Sequence, residues 1–173
     1  FLLDRRQYDA LLKRLGEFMD FDSHCRDGTY KICNIYFDTV NNDIIRLSTS
    51  KPYYKEKLRL RSYGTPENDN AKVFLEIKKK IGGVVNKRRV VMTYGEAKKY
   101  LESGERPVGA NQLSLQVLNE IDWFLRNNPV KPAAYISYDR VAMFAKDNPQ
   151  FRLTFDSNIE TRRTDLSLGA GSY

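Results

Sequence analysis

A chain of 173 residues, 41% hydrophobic and 12% aromatic, has enough apolar side chain to bury a core, which excludes a disordered tail or a low-complexity linker. Its net charge is +7, and the segment Lys51–Arg89 holds twelve Lys and Arg against four acids, a local +8. The excess charge is concentrated in one region, which points to an anionic partner rather than to general solubility.

Asp4 and Gln7 form a capping-box pair, and Tyr8, Leu11, Leu12, Leu15 and Phe18 follow at helical spacing, so a helix is expected over 5–19. Residues 20–28 read as a polar loop. YKICNIYFDT (30–39) is aromatic and β-branched and reads as a strand, with a turn at Asn41-Asn42 and a short strand over 44–47. Strands follow over 54–63 and 72–80, separated by the loop GTPENDN. Gly82-Gly83 then turns the chain into a third strand, 84–92, as an antiparallel hairpin. Thr93 and Glu96 cap a helix over 95–102, and residues 104–109 form a linker. Leu115, Leu118, Ile121, Phe124 and Leu125 mark a helix over 112–126, ended by Pro129 and Pro132. Strands over 133–145 and 151–156 complete the set. A polar tail then runs from Asn158 to the closing GAGSY. The sum is α+β, with at least six mostly antiparallel strands and three helices.

The basic segment carries the chemistry. Lys55, Lys57, Arg59 and Arg61 fall at every second position, with Leu58 and Leu60 between the last three. Glu76, Lys78 and Lys80 alternate with residues that include Ile77. Side chains at i and i+2 share a strand face, so each strand has an apolar face and a charged one. Lys87 and Arg89 share a face flanked by Val85 and Val91. Tyr138 pairs with Arg140 in the same way, and Arg152, Thr154 and Asp156 line one face. Like charges side by side repel, and a polyanion is the simplest reason to keep them. The charged face either meets water, as in a sandwich, or lines the lumen of a closed barrel whose apolar outside is covered by helices. Arg offers bidentate forks to phosphate and Lys a point charge. Glu76 either pairs with an Arg or helps to hold Mg²⁺ or Mn²⁺.

Other chemistries are poorly supplied. Cys25 and Cys33 form no CxxC pair and no disulfide framework, and one His beside one Cys is not a zinc site. There is no Walker loop and no nucleophile–base pair, so any catalysis is expected to be phosphoryl transfer by positioning and charge neutralisation. Nucleic acid is not the expected partner, because Tyr and Phe do not interleave with the basic positions as stacking platforms would. No run reaches the roughly 18 apolar residues of a membrane span. No signal peptide is visible, and the reading places the chain in the cytoplasm without a membrane segment of its own.

The series YKICNIYFDT, KEKLRLRSYG, VFLEIKKK, NKRR, YISYDRVAMF and FRLTFD, in order over residues 2–168, resembles the VTC domain (vacuolar transporter chaperone domain) of the triphosphate tunnel metalloenzyme group, alongside the CYTH proteins. The resemblance implies a single domain over 1–173, an antiparallel β-barrel forming a triphosphate tunnel, with helices packed outside. It further implies a polyphosphate polymerase that moves the γ-phosphate of ATP to a growing polyphosphate chain with Mn²⁺ or Mg²⁺. Matched to the family's pattern, Arg59, Arg61, Lys78, Lys87, Arg140 and Arg152 are tunnel groups that grip phosphate. Lys57 and Arg89 lie on the same faces with less family support, Asp156 sits near the tunnel mouth or in a salt bridge, and Glu76 is the one metal candidate. The family also has an acidic and basic strand before FLLD, and a late strand with a metal-binding glutamate and a closing helix after GAGSY. By this comparison the chain is truncated at both ends. Two other functions stay open: a tunnel-type triphosphate hydrolase, and a non-catalytic module that binds polyphosphate.

Overall fold

The structure is a computed structural model that describes residues 1–25 and 28–169. Residues 170–173 of the closing GAGSY, and residues 26–27 of the expected 20–28 loop, lie outside the described residues. Two compact units are present: Phe1–Lys31 with Tyr138–Asn158, and Ile32–Ser137 with the residues from Ile159 onward. The described residues contain seven strands and four α-helices.

In the smaller unit, α1 spans Arg5–Leu15. Asp4 accepts from the Gln7 N–H and the Gln7 side chain returns the bond, the reciprocal cap that the sequence predicts. The helix ends at Leu15 with Gly16 as its C-cap, short of the expected 5–19, because strand pairing takes the chain from Met19. Met19–Phe21 form β1, where the end of the helix and the start of a loop were expected. Met19 pairs with Ala145 and Phe21 with Met143 of β6 (Lys131–Ala145). Tertiary pairing overrides the local polar signal of Asp20 and Asp22. A 3-10 turn follows over Ser23–Cys25. β7 (Arg152–Arg162) also pairs with β6, and is six residues longer at its C-terminal end than the strand predicted over 151–156. Met19, Val141 and Met143 are buried with Leu12, Leu15, Leu153 and Phe155 against them, so α1 covers the apolar face of this pairing.

The larger unit is built on β2 (Tyr30–Asp38), β3 (Tyr54–Tyr63), β4 (Lys72–Ile81) and β5 (Val84–Thr93). The order is β6-β2-β3-β4-β5, and the pairs β2–β3, β3–β4 and β4–β5 are antiparallel. Gly82 and Gly83 sit at φ 54° and 93°, the left-handed pair that a two-residue hairpin turn requires. The helices α3 (Tyr94–Ser103) and α4 (Gln112–Asn127) lie on one face of these strands. Thr93 and Glu96 close the capping box of α3, and the Asn111 side chain caps α4. Cys33, Ile35, Leu58, Leu60, Val73, Leu75, Ile77, Val90 and Met92 meet Ala97, Tyr100, Val117, Leu118, Ile121 and Phe124 in one core. Every second residue of four strands therefore faces the helices, and the other set faces away.

Residues 43–49 form a helix, α2 (Asp43–Thr49), and not the short strand expected over 44–47. The Asp38 carboxylate decides this. Its oxygens accept from the backbone N–H groups of Thr39, Ile44 and Ile45 at 2.8, 2.8 and 3.1 Å, and Thr39 Oγ1 accepts from the Asp43 N–H at 3.0 Å. A buried carboxylate from the end of β2 thus satisfies the open donors of the helix start. The apolar pair Ile44-Ile45 gives no hint of this, because the cap is five residues upstream. Asp38→Ala should lower stability by about 2 kcal/mol, read from the urea midpoint. An unchanged midpoint would show that α2 does not depend on this cap.

Candidate functional site

The face turned away from α3 and α4 reads across the strands as a set of rows. Tyr36, Arg59, Glu76 and Arg89 stand opposite one another on β2, β3, β4 and β5. One row toward the hairpin turn, Lys57, Lys78 and Lys87 are direct partners across three strands. One row the other way come Asn34, Arg61, Phe74 and Val91. Six of the predicted cations and Glu76 are therefore brought onto one surface: Lys57, Arg59, Arg61, Lys78, Lys87 and Arg89.

Buried acceptors aim the arginines. Arg59 Nε donates to Glu76 Oε2 at 2.5 Å, and its Nη1 donates to Tyr36 OH at 3.2 Å. Arg61 Nε donates to Asn34 Oδ1 at 2.9 Å and lies 3.9 Å from Glu76 Oε2. Asn34 in turn donates to Ile136 O at 3.0 Å. Burial works against the Arg59 charge, but Glu76 and Tyr36 more than offset it and hold its pKa above the ordinary value. Asn34 and Tyr36 were not singled out in the sequence. The signal was present, since Asn34, Tyr36 and Asp38 alternate with Cys33, Ile35 and Phe37 in the same period of two.

Glu76 is 2% exposed, and Oε1 has no hydrogen-bond partner; Lys87 Nζ is the nearby charge at 3.9 Å. One carboxylate among Arg59, Arg61 and Lys87 does not fit a divalent cation, which takes several oxygen ligands. The described residues contain no cluster of three or more His, Cys, Asp or Glu suited to a metal. Glu76 sits here as an internal counter-charge for the arginines.

The lysines carry the opposite imbalance. Among the described residues, Lys57, Lys78 and Arg89 form no ion pair. Burial pushes the Lys57 pKa down, and Lys55 and Lys78 add to the shift. Burial also lowers that of Lys87; Glu76 opposes the shift, and Arg59, Arg61 and Arg89 add to it. Lys55 shares the face, but its Nζ donates to Ser48 O at the end of α2.

Arg140 and Arg152 belong to the smaller unit, and each is matched to a carboxylate. Arg140 makes a two-pronged contact with Asp156, Nε to Oδ1 at 2.7 Å and Nη2 to Oδ2 at 2.8 Å, and lies over the Tyr138 ring. That bond holds the Arg140 pKa above its usual range. Asp156 is thus the salt-bridge partner that the sequence allowed for. Arg152 donates to Asp22 Oδ2 at 2.8 Å and stacks over Phe144. Burial alone would raise the Asp22 pKa, but its bonds to His24 and the Arg152 charge hold it low. Cys25 and Cys33 are buried and free. Among the described residues, no helix is long and apolar enough to cross a membrane.

An antiparallel sheet backed by helices on its apolar side, with unneutralised cations on the other, is the α+β class that the resemblance implies. The sequence matches the model of the VTC domain family over residues 1–172, and the chain belongs to that family. Among solved structures it is similar to a candidate adenylate cyclase from Bacillus halodurans, with 16% identity, a TM-score of 0.50, and coverage of 91% of this chain and 77% of that one. At that identity the likeness shows a shared fold. No curated protein matches the sequence.

The depressed lysines make stability depend on pH. The unfolded chain protonates its lysines near 10.4, while the fold releases the Lys57 and Lys87 protons at lower pH. Just below the unfolded value the unfolded chain binds more protons, so the contribution of these groups improves as pH rises and is poorest at neutral pH, where both are charged. Between pH 8 and 10 the urea midpoint of the wild type should rise relative to that of Lys57→Met/Lys87→Met. Parallel profiles would show that the two ammonium groups are not strained by the fold.

Proposed function

We propose that this domain binds a triphosphate or polyphosphate chain on the basic face of β3, β4 and β5, and that the protein transfers the γ-phosphate of ATP to growing polyphosphate. The observation that carries this reading is the row Lys57–Lys78–Lys87. Three like charges placed directly opposite one another cost stability, and two of them resist their charge. A run of phosphates removes that cost and gains charge-assisted hydrogen bonds of about 1.5–3 kcal/mol each. Membership of the VTC family supports the polyphosphate part, and the candidate adenylate cyclase shares the fold.

In this reading Arg59 and Arg61, fixed at Nε by Glu76 and Asn34, hold the phosphate chain in line, and the lysine row spreads its charge. The terminal phosphoryl group leaves the β–γ bridging oxygen of ATP and bonds to the terminal oxygen of the acceptor chain, releasing ADP. The protein's share is alignment and neutralisation. Mn²⁺ or Mg²⁺ would arrive as the nucleotide's counter-ion, since Glu76 alone does not build a metal site.

Lys57→Met/Lys78→Met/Lys87→Met should weaken tripolyphosphate binding about 100-fold by calorimetry while raising the melting temperature of the unliganded protein, because repulsion is removed with the stems retained. Unchanged affinity would exclude the row from the site. With ATP and Mn²⁺, the protein should yield long polyphosphate. Free phosphate alone would make it a hydrolase, and binding without turnover a polyphosphate-binding module.

A further inference from the structure

The hairpin that joins β4 to β5 ends in an apolar tip. Ile81, Val84 and Val85 are 46%, 74% and 50% exposed around the Gly82-Gly83 turn, and Tyr53 is 76% exposed. Ile81 pairs with Val84 on β5 and with Tyr54 on β3, while Val85 pairs with Lys80. Ile81 and Val84 therefore lie on one face of the hairpin and Val85 on the other. The turn is tied down. The Gly82 N–H donates to Tyr53 O at 2.9 Å, and a Cβ at Gly82 would meet the Tyr53 ring at 3.0 Å. An aromatic ring thus rests against the turn and enlarges the apolar tip.

Positive charge collars this tip. From Ile77 to Met92 the chain holds Lys78, Lys79, Lys80, Lys87, Arg88 and Arg89 and no acid. Lys79 and Arg88 are taken up by Glu56 and Glu120 on the helix side. Among the described residues Lys78 and Lys80 form no ion pair, and Lys87 stands 3.9 Å from Glu76. These three follow the apolar residues by one to three positions along the strands, roughly 3–10 Å at 3.3 Å per residue. An apolar face enters the headgroup boundary of a bilayer by about 5–10 Å, so the tip and its collar match the layering of an anionic membrane surface. Lysine stems reach back to the headgroups, and tyrosine favours that boundary. Apolar side chains on both faces of one narrow turn present no broad surface for a helix or a second sheet to cover, but a fluid medium meets them from every side. We infer that the β4–β5 hairpin tip docks on an anionic lipid surface, with Tyr53, Ile81, Val84 and Val85 entering the headgroup layer and Lys80, backed by Lys78 and Lys87, facing the lipid charges. The inference does not depend on the phosphate reading above.

The test adds the full chain to vesicles of phosphatidylcholine alone and of phosphatidylcholine with about 30% phosphatidylserine. Wild type should float with the anionic vesicles and not with the neutral ones, and about 0.5 M salt should weaken the association. Val84→Ser/Val85→Ser keeps every charge and should weaken vesicle binding about tenfold, while tripolyphosphate affinity changes by less than twofold. Trp123→Phe removes the single tryptophan. In that background, Val84→Trp should emit at shorter wavelength on anionic vesicles and be quenched by brominated acyl chains. This quench decides the matter if the serine variant unfolds. Vesicle binding that the serine substitutions leave unchanged, or emission that bromine does not quench, would show adsorption by charge alone and overturn the inference. So would equal binding to neutral vesicles, or none to either kind. Self-association in solution that the serine substitutions abolish, without vesicle binding, would also overturn it and assign the tip to a second copy of the chain.

Discussion

Three lysines set directly opposite one another on adjacent strands govern how this protein is built. Such a row repels itself at every pH at which it is charged. It persists because the same strands are fixed from behind. Leu58, Leu60, Leu75, Ile77 and Val90 are packed against Val117, Leu118, Ile121 and Phe124 of α4, and that burial sets the register that aligns the cations. A one-residue slip would turn the lysines into the core. The apolar side of the sheet therefore enforces the electrostatic strain on its other side, and in the proposed function a bound phosphate chain would relieve that strain.

The arginines solve a different problem. A guanidinium that must grip phosphate has to be held without being neutralised. Here the Nε edges are taken by Glu76 and Asn34, acceptors buried at 2% and 0% exposure. Glu76 supplies one negative charge to three surrounding cations, enough to make Arg59 tolerable in a buried place and too little to cancel the field. The tie through Tyr36 adds direction without charge. In the smaller unit the balance is struck one to one, with Arg140 on Asp156 and Arg152 on Asp22.

Much of this was legible because the period of two is a geometric consequence of strand backbone. It identified β3, β4 and β5, the hairpin at Gly82-Gly83, and the split between Leu58/Leu60 and Arg59/Arg61. What it could not supply was register. Only pairing shows that Lys57, Lys78 and Lys87 form one row, or that Phe74 stands beside Arg61. The failures share a cause, since each depends on a partner distant in sequence. Residues 43–49 are helical because Asp38 caps them, and Met19–Phe21 are a strand because residues 143–145 pair with them. Asn34 and Tyr36 carried the same alternation as the lysines, yet neutral polar residues in a strand are common and drew no notice.

The central claim is that the cationic rows of β3, β4 and β5 meet phosphate. It is tested most directly by following backbone amide resonances while tripolyphosphate is added. The account predicts saturable shifts concentrated at residues 55–61, 76–80 and 85–89, with the core positions of α4 unmoved. Shifts confined to other surfaces, or none at all at millimolar ligand, would contradict it.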